Sequence, residues 1–134
     1  MPRAGDRRAR RVCAVACAGV LALAAPTPRG TAQEPTKNPY TGDAAAIEEG
    51  KRLFLETGCV GCHGHHAEGG TGPSLTDDQW RYSPTDVTLF RAITNGRAGT
   101  LMPPWKDKLS AGEVWKIIAF IRSIYKGDPS KIVW

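Results

Sequence analysis

Three stretches of the chain repeat apolar residues every three or four positions, which is the spacing of one face of an α-helix. They predict helices over 44–57, from Pro84 to Asn95, and over 111–125. The apolar positions are Ile47, Gly50, Leu53 and Phe54 in the first, Val87, Phe90 and Ile93 in the second, and Val114, Ile117, Ile118, Ile121 and Ile124 in the third. No stretch of useful length alternates with period two, so the predicted class is all-α with long ordered loops.

The start of each predicted helix carries a side chain suited to capping free backbone N–H groups. Asp43 precedes the first helix, and a capping box begins at Ser110 before the third. For the second helix the predicted cap is Ser83, with Pro84 at the first helical position and Asp86 in capping-box register. Glycines follow the first two helices, as they commonly do at helix ends.

The first 32 residues have the order of features of an export signal. Basic residues over 7–11 precede an uncharged apolar run, 12–25, which is shorter than the ~20 residues needed to span a bilayer. Small residues then offer cleavage sites, the last of them after Ala32. We therefore predict a signal peptide over 1–32 and export to the periplasm by the Sec route, with an uncleaved anchor helix as the alternative.

The basic charge of the chain lies in this signal segment. Residues 1–32 hold six basic residues and one acidic residue, which accounts for the whole net charge of +5. Residues 33–134 carry equal numbers of both, so their charge does not indicate nucleic-acid binding. After the signal we expect an extended, polar and proline-rich lead-in over 33–42 and one domain over 43–134.

The chemistry of the chain is concentrated in the sequence Cys59-Val60-Gly61-Cys62-His63. This C-x-x-C-H pattern is the attachment signature of c-type haem. Cys59 and Cys62 would add to the two porphyrin vinyl groups as thioethers, and His63 would ligate the iron. Attachment outside the cytoplasm agrees with the export signal, which is an independent feature of the sequence.

Three other interpretations of the two cysteines are weaker. A dithiol redox centre usually accompanies a βαβ unit, and the chain has no such pattern. A zinc site needs four ligands, and His65 and His66 would have to join Cys59 and Cys62 within eight residues. A plain disulfide would not explain His63.

Met102 is the candidate for the second axial ligand of the iron, because it is the one methionine that follows the signal segment. A thioether opposite an imidazole raises the reduction potential. Met102 as a core filler is the alternative, but its polar, proline-rich surroundings are not those of an apolar helix face. His65 and His66 are competing ligands; they follow the attachment site closely, and we expect them to be solvated.

These features together resemble class I cytochromes c over nearly the whole predicted mature chain. The resemblance rests on the first helix with Gly50 and Phe54, the C-x-x-C-H site, Gly72-Pro73-Ser74-Leu75, Met102-Pro103 and the final helix. It implies a fold of three main helices and long loops around one covalently bound haem c. It also implies that Gly50 allows the first and last helices to approach closely near Phe120, and that the Pro73 carbonyl accepts a hydrogen bond from His63.

Longer segments are similar to the cytochrome c-L family. They are His63-Gly64-His65-His66-Ala67-Glu68-Gly69, Asp77-Asp78-Gln79-Trp80, Thr85-Asp86-Val87 and a tail from Tyr125 to Trp134. That family accepts electrons from periplasmic quinoprotein alcohol dehydrogenases, chiefly methanol dehydrogenase with pyrroloquinoline quinone. The chain departs from it in being shorter and in carrying Met102-Pro103-Pro104-Trp105, which leaves open a sister dehydrogenase as the donor.

The resemblance implies a monomeric electron carrier, not an enzyme, that passes single electrons to a downstream cytochrome c or oxidase. Trp80, Arg81 and Tyr82 precede the second helix and are candidates for hydrogen bonding to the haem propionates, with a packed aromatic loop as the alternative. A carrier for another respiratory pathway, a peroxidase or sensor haem with an open sixth position, and a fixed subunit of a larger complex remain the other functions to test.

Overall fold

Four α-helices account for the regular structure of residues 36–131, the part of the chain that the computed structural model describes. They are α1 (Ala44–Glu56), α2 (Val60–His63), α3 (Asp86–Asn95) and α4 (Ala111–Ser123), followed by a short 3₁₀ turn at Pro129–Lys131. Within these residues there is no β-strand, which confirms the all-α prediction. The predicted signal peptide over 1–32 and the end of the tail at Trp134 lie outside the described residues.

Two of the three predicted helix caps are present. The Asp43 side chain accepts a hydrogen bond from the Ala46 N–H at 3.0 Å. Ser110 and Glu113 form the reciprocal capping box at the start of α4. These caps satisfy N–H groups that have no partner inside the helix.

The predicted cap of the second long helix was wrong. Thr85, not Ser83, caps α3, because its hydroxyl accepts from the Thr88 N–H at 3.0 Å and the helix begins at Asp86. The Arg122 guanidinium donates a hydrogen bond to the Pro84 carbonyl at 2.6 Å. This long-range contact fixes Pro84 outside the helix, and no local pattern reveals it.

The C-terminal end of α4 also comes earlier than predicted. The helix stops at Ser123 instead of continuing to 125. The Tyr125 hydroxyl donates to Asp78, and the Lys126 N–H donates to the Thr76 carbonyl at 2.8 Å. The chain therefore leaves the helical path to bind a distant loop. The first helix ends one residue early, at Glu56, with Thr57 as its C-cap.

Helices α1 and α4 pack directly against each other at Gly50. A Cβ atom at this position would lie 2.0 Å from the Lys116 carbonyl oxygen, so only glycine permits the approach. Close by, the Phe54 and Phe120 rings lie 5.5 Å apart in a tilted arrangement. The close approach of the first and last helices near Phe120, implied by the family resemblance, is confirmed.

Helix α4 lies at the centre of the core. Its residues Val114, Ile117 and Ile118 are at most 1% exposed. On the α3 side, Trp115 stacks on Phe90 with ring centroids 4.5 Å apart. Burial of this apolar area is the main stabilising contribution to the domain.

The sequence predicts an extended lead-in, but the described part of it is not extended throughout. Residues 39–42 form a turn, with the Asp43 N–H donating to the Tyr40 carbonyl at 3.1 Å. Asn38 is buried and its amide donates to the Trp115 carbonyl at 3.0 Å. Because a buried amide needs a partner, this contact folds the lead-in back onto α4.

Among residues 36–131, no helix has the length and apolar character needed to cross a membrane.

Candidate functional site

A cavity of about 440 Å³ opens beside α4 and is bounded by the loops of the molecule. This volume is in the range of cofactor and ligand sites. Apolar walls come from Phe54, Leu89, Ile93, Ile117 and Ile121. The structure brings all eight candidate residues of the sequence analysis to this one cavity: Cys59, Cys62, His63, Pro73, Trp80, Arg81, Tyr82 and Met102.

The two cysteines enter the cavity from the short helix α2. Cys59 is its N-cap and Cys62 lies three residues on, so both lie on one face of a single turn. Both are free thiols and partly buried. Burial raises the pKa of Cys59 above its usual value, while a contact with the Thr57 hydroxyl at 3.5 Å acts in the opposite direction.

His63 is held in one orientation by the loop that follows it. Its Nδ1 lies 2.9 Å from the Pro73 carbonyl oxygen. A carbonyl only accepts, so Nδ1 carries the proton and Nε2 keeps the lone pair that a metal requires. The Gly72 N–H donates to the Cys62 carbonyl at 2.9 Å, and a Cβ on Gly72 would lie 2.9 Å from the His63 ring. This small residue leaves room for the imidazole.

Met102 reaches the cavity from a loop that is hydrogen-bonded to the end of α3. The Met102 carbonyl accepts from the Arg97 N–H at 3.1 Å, and the Trp105 N–H donates to the Ile93 carbonyl at 3.1 Å. Gly96, at φ +67°, makes the turn possible; a Cβ there would lie 2.7 Å from the Met102 carbonyl oxygen. The position of Met102 thus depends on backbone contacts with α3.

The third wall is the loop over 79–83. The Arg97 guanidinium stacks on the Tyr82 ring, 3.7 Å from its centroid, which connects this wall to the Met102 loop. The Trp80 ring lies 6.3 Å from the Tyr125 ring and 5.2 Å from the Arg122 guanidinium. Arg81 is exposed at the rim.

Three residues that shape the site were missed in the sequence. Arg97 also lines the cavity, but in the sequence it is a single basic residue in a polar loop. Gly96 was interpreted only as the end of a helix, and its contact with the Met102 loop is visible only in three dimensions. Asp78, which binds the C-terminal tail, had no signal beyond its place in a family-like segment.

The two neighbouring histidines do not belong to the site. His65 and His66 are exposed and do not line the cavity. Within residues 36–131, no group of three or more His, Cys, Asp or Glu side chains is placed to hold a metal ion. The zinc alternative therefore has no ligand set in the described part of the chain.

Comparison with known proteins bears on this cavity. Residues 45–121, more than half of the chain, match the family model described as "Cytochrome C oxidase, cbb3-type, subunit III". The structure is similar to cytochrome CL of the marine methylotroph Methylophaga aminisulfidivorans, at 38% identity and a TM-score of 0.66, covering 78% of this chain and 76% of that one. The chain belongs to the class I c-type cytochromes. Its described fold, helical and similar to that of cytochrome CL, agrees with this membership.

Sequence relatives point the same way. This cytochrome is 42% identical over 103 residues to cytochrome c-L of Methylorubrum extorquens, covering 75% of this chain and 51% of that protein. It is 40% identical over 96 residues to the cbb3-type cytochrome c oxidase subunit FixP of a Bradyrhizobium strain, covering 69% of this chain and 31% of that protein. The chain thus spans about half the length of the first relative and less than a third of the second.

Proteins of this family carry haem c covalently on a C-x-x-C-H motif, and this cytochrome binds one haem c. The residues of the cavity fit that group. Two free thiols, an imidazole with its Nε2 lone pair available and a thioether all line one largely apolar space. In addition, the buried Trp80 indole N–H has no hydrogen bond of normal geometry within the protein and only a weak polar contact with the Tyr125 hydroxyl. A buried N–H of this kind needs an acceptor.

Proposed function

We propose that this cytochrome is a monomeric periplasmic electron carrier, exported by the Sec route, and not an enzyme. It accepts single electrons from a quinoprotein alcohol dehydrogenase and passes them to a downstream cytochrome c or oxidase. The observation that carries the proposal is the meeting of Cys59, Cys62, His63 and Met102 at one cavity. Haem c bound there supplies one-electron cycling between ferrous and ferric iron.

Each of the four residues has one role in this proposal. Cys59 and Cys62 form the thioether links that retain the cofactor. His63 ligates the iron through Nε2, and the Pro73 carbonyl fixes the plane of its ring and increases its basicity. Met102 ligates the iron as a thioether. With His63 and Met102 both bound to the iron, haem held in this way would offer no open coordination position to a substrate.

The loop over 79–83 completes the cavity on the polar side. Trp80 would donate its indole N–H to a propionate of the bound haem, because this N–H is buried and has no hydrogen bond of normal geometry in the protein. Arg81 and Tyr82 line the same wall, and their N–H and O–H groups are suited to the same acidic group. These donors partly neutralise the propionates and so influence the reduction potential.

An exposed apolar rim supports a transient docking surface. Leu101 is 79% exposed and Tyr82 is 52% exposed, and both line the mouth of the cavity. Electron-transfer complexes use small interfaces of this kind, which release quickly after reaction. Because residues 33–134 carry no net charge, we expect docking to depend on this local surface more than on long-range attraction.

The choice of donor rests on the similarity to cytochrome c-L in sequence and structure. The test is rapid mixing of the ferric protein with a quinoprotein alcohol dehydrogenase from the same organism and its alcohol, followed by haem absorbance. We expect fast, saturable reduction, slowed in a Leu101→Ala variant that retains the wild-type spectrum. A normal low-spin spectrum without any reduction would contradict the proposed donor and leave the carrier role intact.

Association with an oxidase is the second candidate function. It is favoured by the matching family model and by the FixP relative, which is a subunit of a cbb3-type oxidase. Gel filtration of a native extract distinguishes the two candidates. A free carrier elutes at the size of a single small chain, whereas a fixed subunit elutes with a large complex.

A further inference from the structure

Asp78 connects the loop over 76–82 to the described part of the tail, residues 125–131. Its Oδ1 accepts from the Tyr125 hydroxyl and from the Asp128 N–H, the latter at 3.0 Å. Its Oδ2 pairs with the Lys131 ammonium at 2.9 Å. One carboxylate thus binds three donors that lie about fifty residues further along the chain.

A residue larger than glycine at position 127 would have to displace the Asp78 carboxylate and the Tyr125 hydroxyl. A Cβ at that position would lie 1.9 Å from the Asp78 Oδ1 and 2.4 Å from the Tyr125 hydroxyl. The Lys126 N–H adds a backbone bond to the Thr76 carbonyl at 2.8 Å. The contact is therefore close-fitting as well as charged.

A second attachment lies at the other end of the same wall. Arg122 of α4 pairs with Asp86 at 2.7 Å, with both side chains almost fully buried, and it donates to the Pro84 carbonyl. Between the attachments at Asp78 and Pro84 lies the segment 79–83, every residue of which lines the cavity. Both attachments come from α4 and the tail.

The wall in turn contacts the loop that carries Met102. Arg97 stacks on Tyr82, and the N–H of the same arginine donates to the Met102 carbonyl. A continuous series of contacts therefore runs from the tail through Asp78, the 79–83 wall and Arg97 to Met102.

We propose that Asp78 is a positioning residue: through it the tail holds the 79–83 wall against the cavity and so helps to retain Met102 on the haem iron. This inference rests on the axial role of Met102 in the proposed function. Asp78 does not line the main cavity itself, so it acts through the wall.

The test measures how readily imidazole replaces the methionine ligand in the ferric holoprotein, followed by absorbance. Apparent affinity for an external ligand rises with the fraction of molecules in which the site is open. Asp78→Ala removes three hydrogen bonds and a charge, whereas Gly127→Ala disturbs the same contact sterically and leaves every charge in place. We expect both variants to bind imidazole about tenfold more tightly than the wild type.

Asp77→Ala is the matched control. It removes a carboxylate next to Asp78 that accepts a local hydrogen bond from the Gln79 N–H at 2.8 Å. We expect wild-type imidazole affinity in this variant. Thermal unfolding of all variants is measured alongside, because a merely structural role would lower the melting temperature without changing imidazole affinity.

The outcomes distinguish a failure of the role of Asp78 from a failure of Met102 as an iron ligand. Unchanged imidazole affinity in both test variants, with tight binding in Met102→Ala, overturns the role of Asp78 and leaves the proposed ligand in place. A change in Asp78→Ala without one in Gly127→Ala indicates a charge effect and also overturns it. Imidazole binding by the wild type as tight as by Met102→Ala overturns the axial role of Met102, and the inference with it.

Discussion

The His63 side and the Met102 side of the cavity are built by different means. On the His63 side, the two cysteines, the histidine and the Pro73 carbonyl lie within fifteen residues of sequence, and the hydrogen bonds described are local. On the Met102 side, the loop depends on the end of α3 and contacts the 79–83 wall, which is itself held by the tail. The first side is therefore fixed by local sequence, and the second by tertiary structure.

This difference shows which side of the cavity is more sensitive to changes elsewhere in the molecule. Local contacts survive as long as the segment that makes them is folded, whereas a non-local series fails at any of its members. We expect disturbances far from the cavity to affect the Met102 ligand and to leave His63 ligation unchanged.

Removal of the methionine ligand is expected to have the largest effect. Met102→Ala leaves one axial position open, so imidazole affinity of the ferric protein rises about 100-fold or more. The reduction potential falls, because the thioether favours ferrous iron. Asp107→Ala, an exposed change in the same loop, serves as the control in absorbance titrations. A wild-type spectrum in Met102→Ala would show that Met102 is not a ligand.

The next largest effect is expected from a distortion of the Met102 loop. Gly96→Ala forces a side chain into a left-handed conformation and against the Met102 carbonyl, so we expect a loss of about 2–4 kcal/mol in the free energy of unfolding. Gly99 also has a positive φ, of +75°, but nothing lies within 4 Å of a Cβ there. Gly99→Ala should lose only about 1–2 kcal/mol. Equal losses in denaturant unfolding would exclude the close contact at Gly96.

The cap of α3 supports the Met102 side from a distance. Thr85→Ala removes the hydroxyl that accepts the Thr88 N–H, and we expect a loss of about 1 kcal/mol in denaturant unfolding. Ser83→Ala is the control, since Ser83 is exposed and should change stability by less than about 0.5 kcal/mol. A larger loss in Ser83→Ala than in Thr85→Ala would restore the cap predicted from sequence.

Low pH is expected to have the smallest effect, and only on the Met102 side of the cavity. The hydrogen bond from Tyr125 holds the pKa of Asp78 below its usual value, with Lys131 acting in the same direction. The stabilisation is complete above the unfolded pKa of about 3.9 and is lost as pH falls through the lowered folded value. Wild-type affinity for imidazole, calculated on the concentration of its unprotonated form, should therefore rise in acid.

The same affinity in Gly127→Ala should change less with pH, because the contact between Asp78 and the tail is already disturbed. Asp78 also raises the pKa of Tyr125 and of Lys131, so their contributions persist at neutral pH and are lost only in strong base. An equal pH dependence of imidazole affinity in the wild type and in Gly127→Ala would show that the effect of acid does not come from Asp78.

The helices were predictable because periodicity and capping act within a few residues. Asp43 and Ser110 were identified as caps from local pattern alone, and the α1–α4 approach at Gly50 followed from the family resemblance. Cys59, Cys62, His63 and Met102 were also found in this way, since a C-x-x-C-H motif and the one methionine after the signal segment need no tertiary information. The role of Pro73 followed from the family resemblance.

What sequence could not predict depends on partners far along the chain. Arg122 binds the Pro84 carbonyl, and α3 begins at Asp86 instead of Pro84. Tyr125 binds Asp78, and α4 ends at Ser123 instead of continuing to 125. Both residues look unremarkable by propensity, because their effect comes from contacts more than 35 residues away. The stacking of Arg97 on Tyr82 was hidden for the same reason.

The late position of Arg122 and Tyr125 in the chain has a consequence for maturation. In the proposed export from the N-terminus, the segment over 59–63 emerges before α4 and the tail. Until those residues arrive, the 79–83 wall lacks its attachments to Arg122 and to the tail. We therefore expect the wall to close over Cys59 and Cys62 only after the C-terminal part of the chain has arrived.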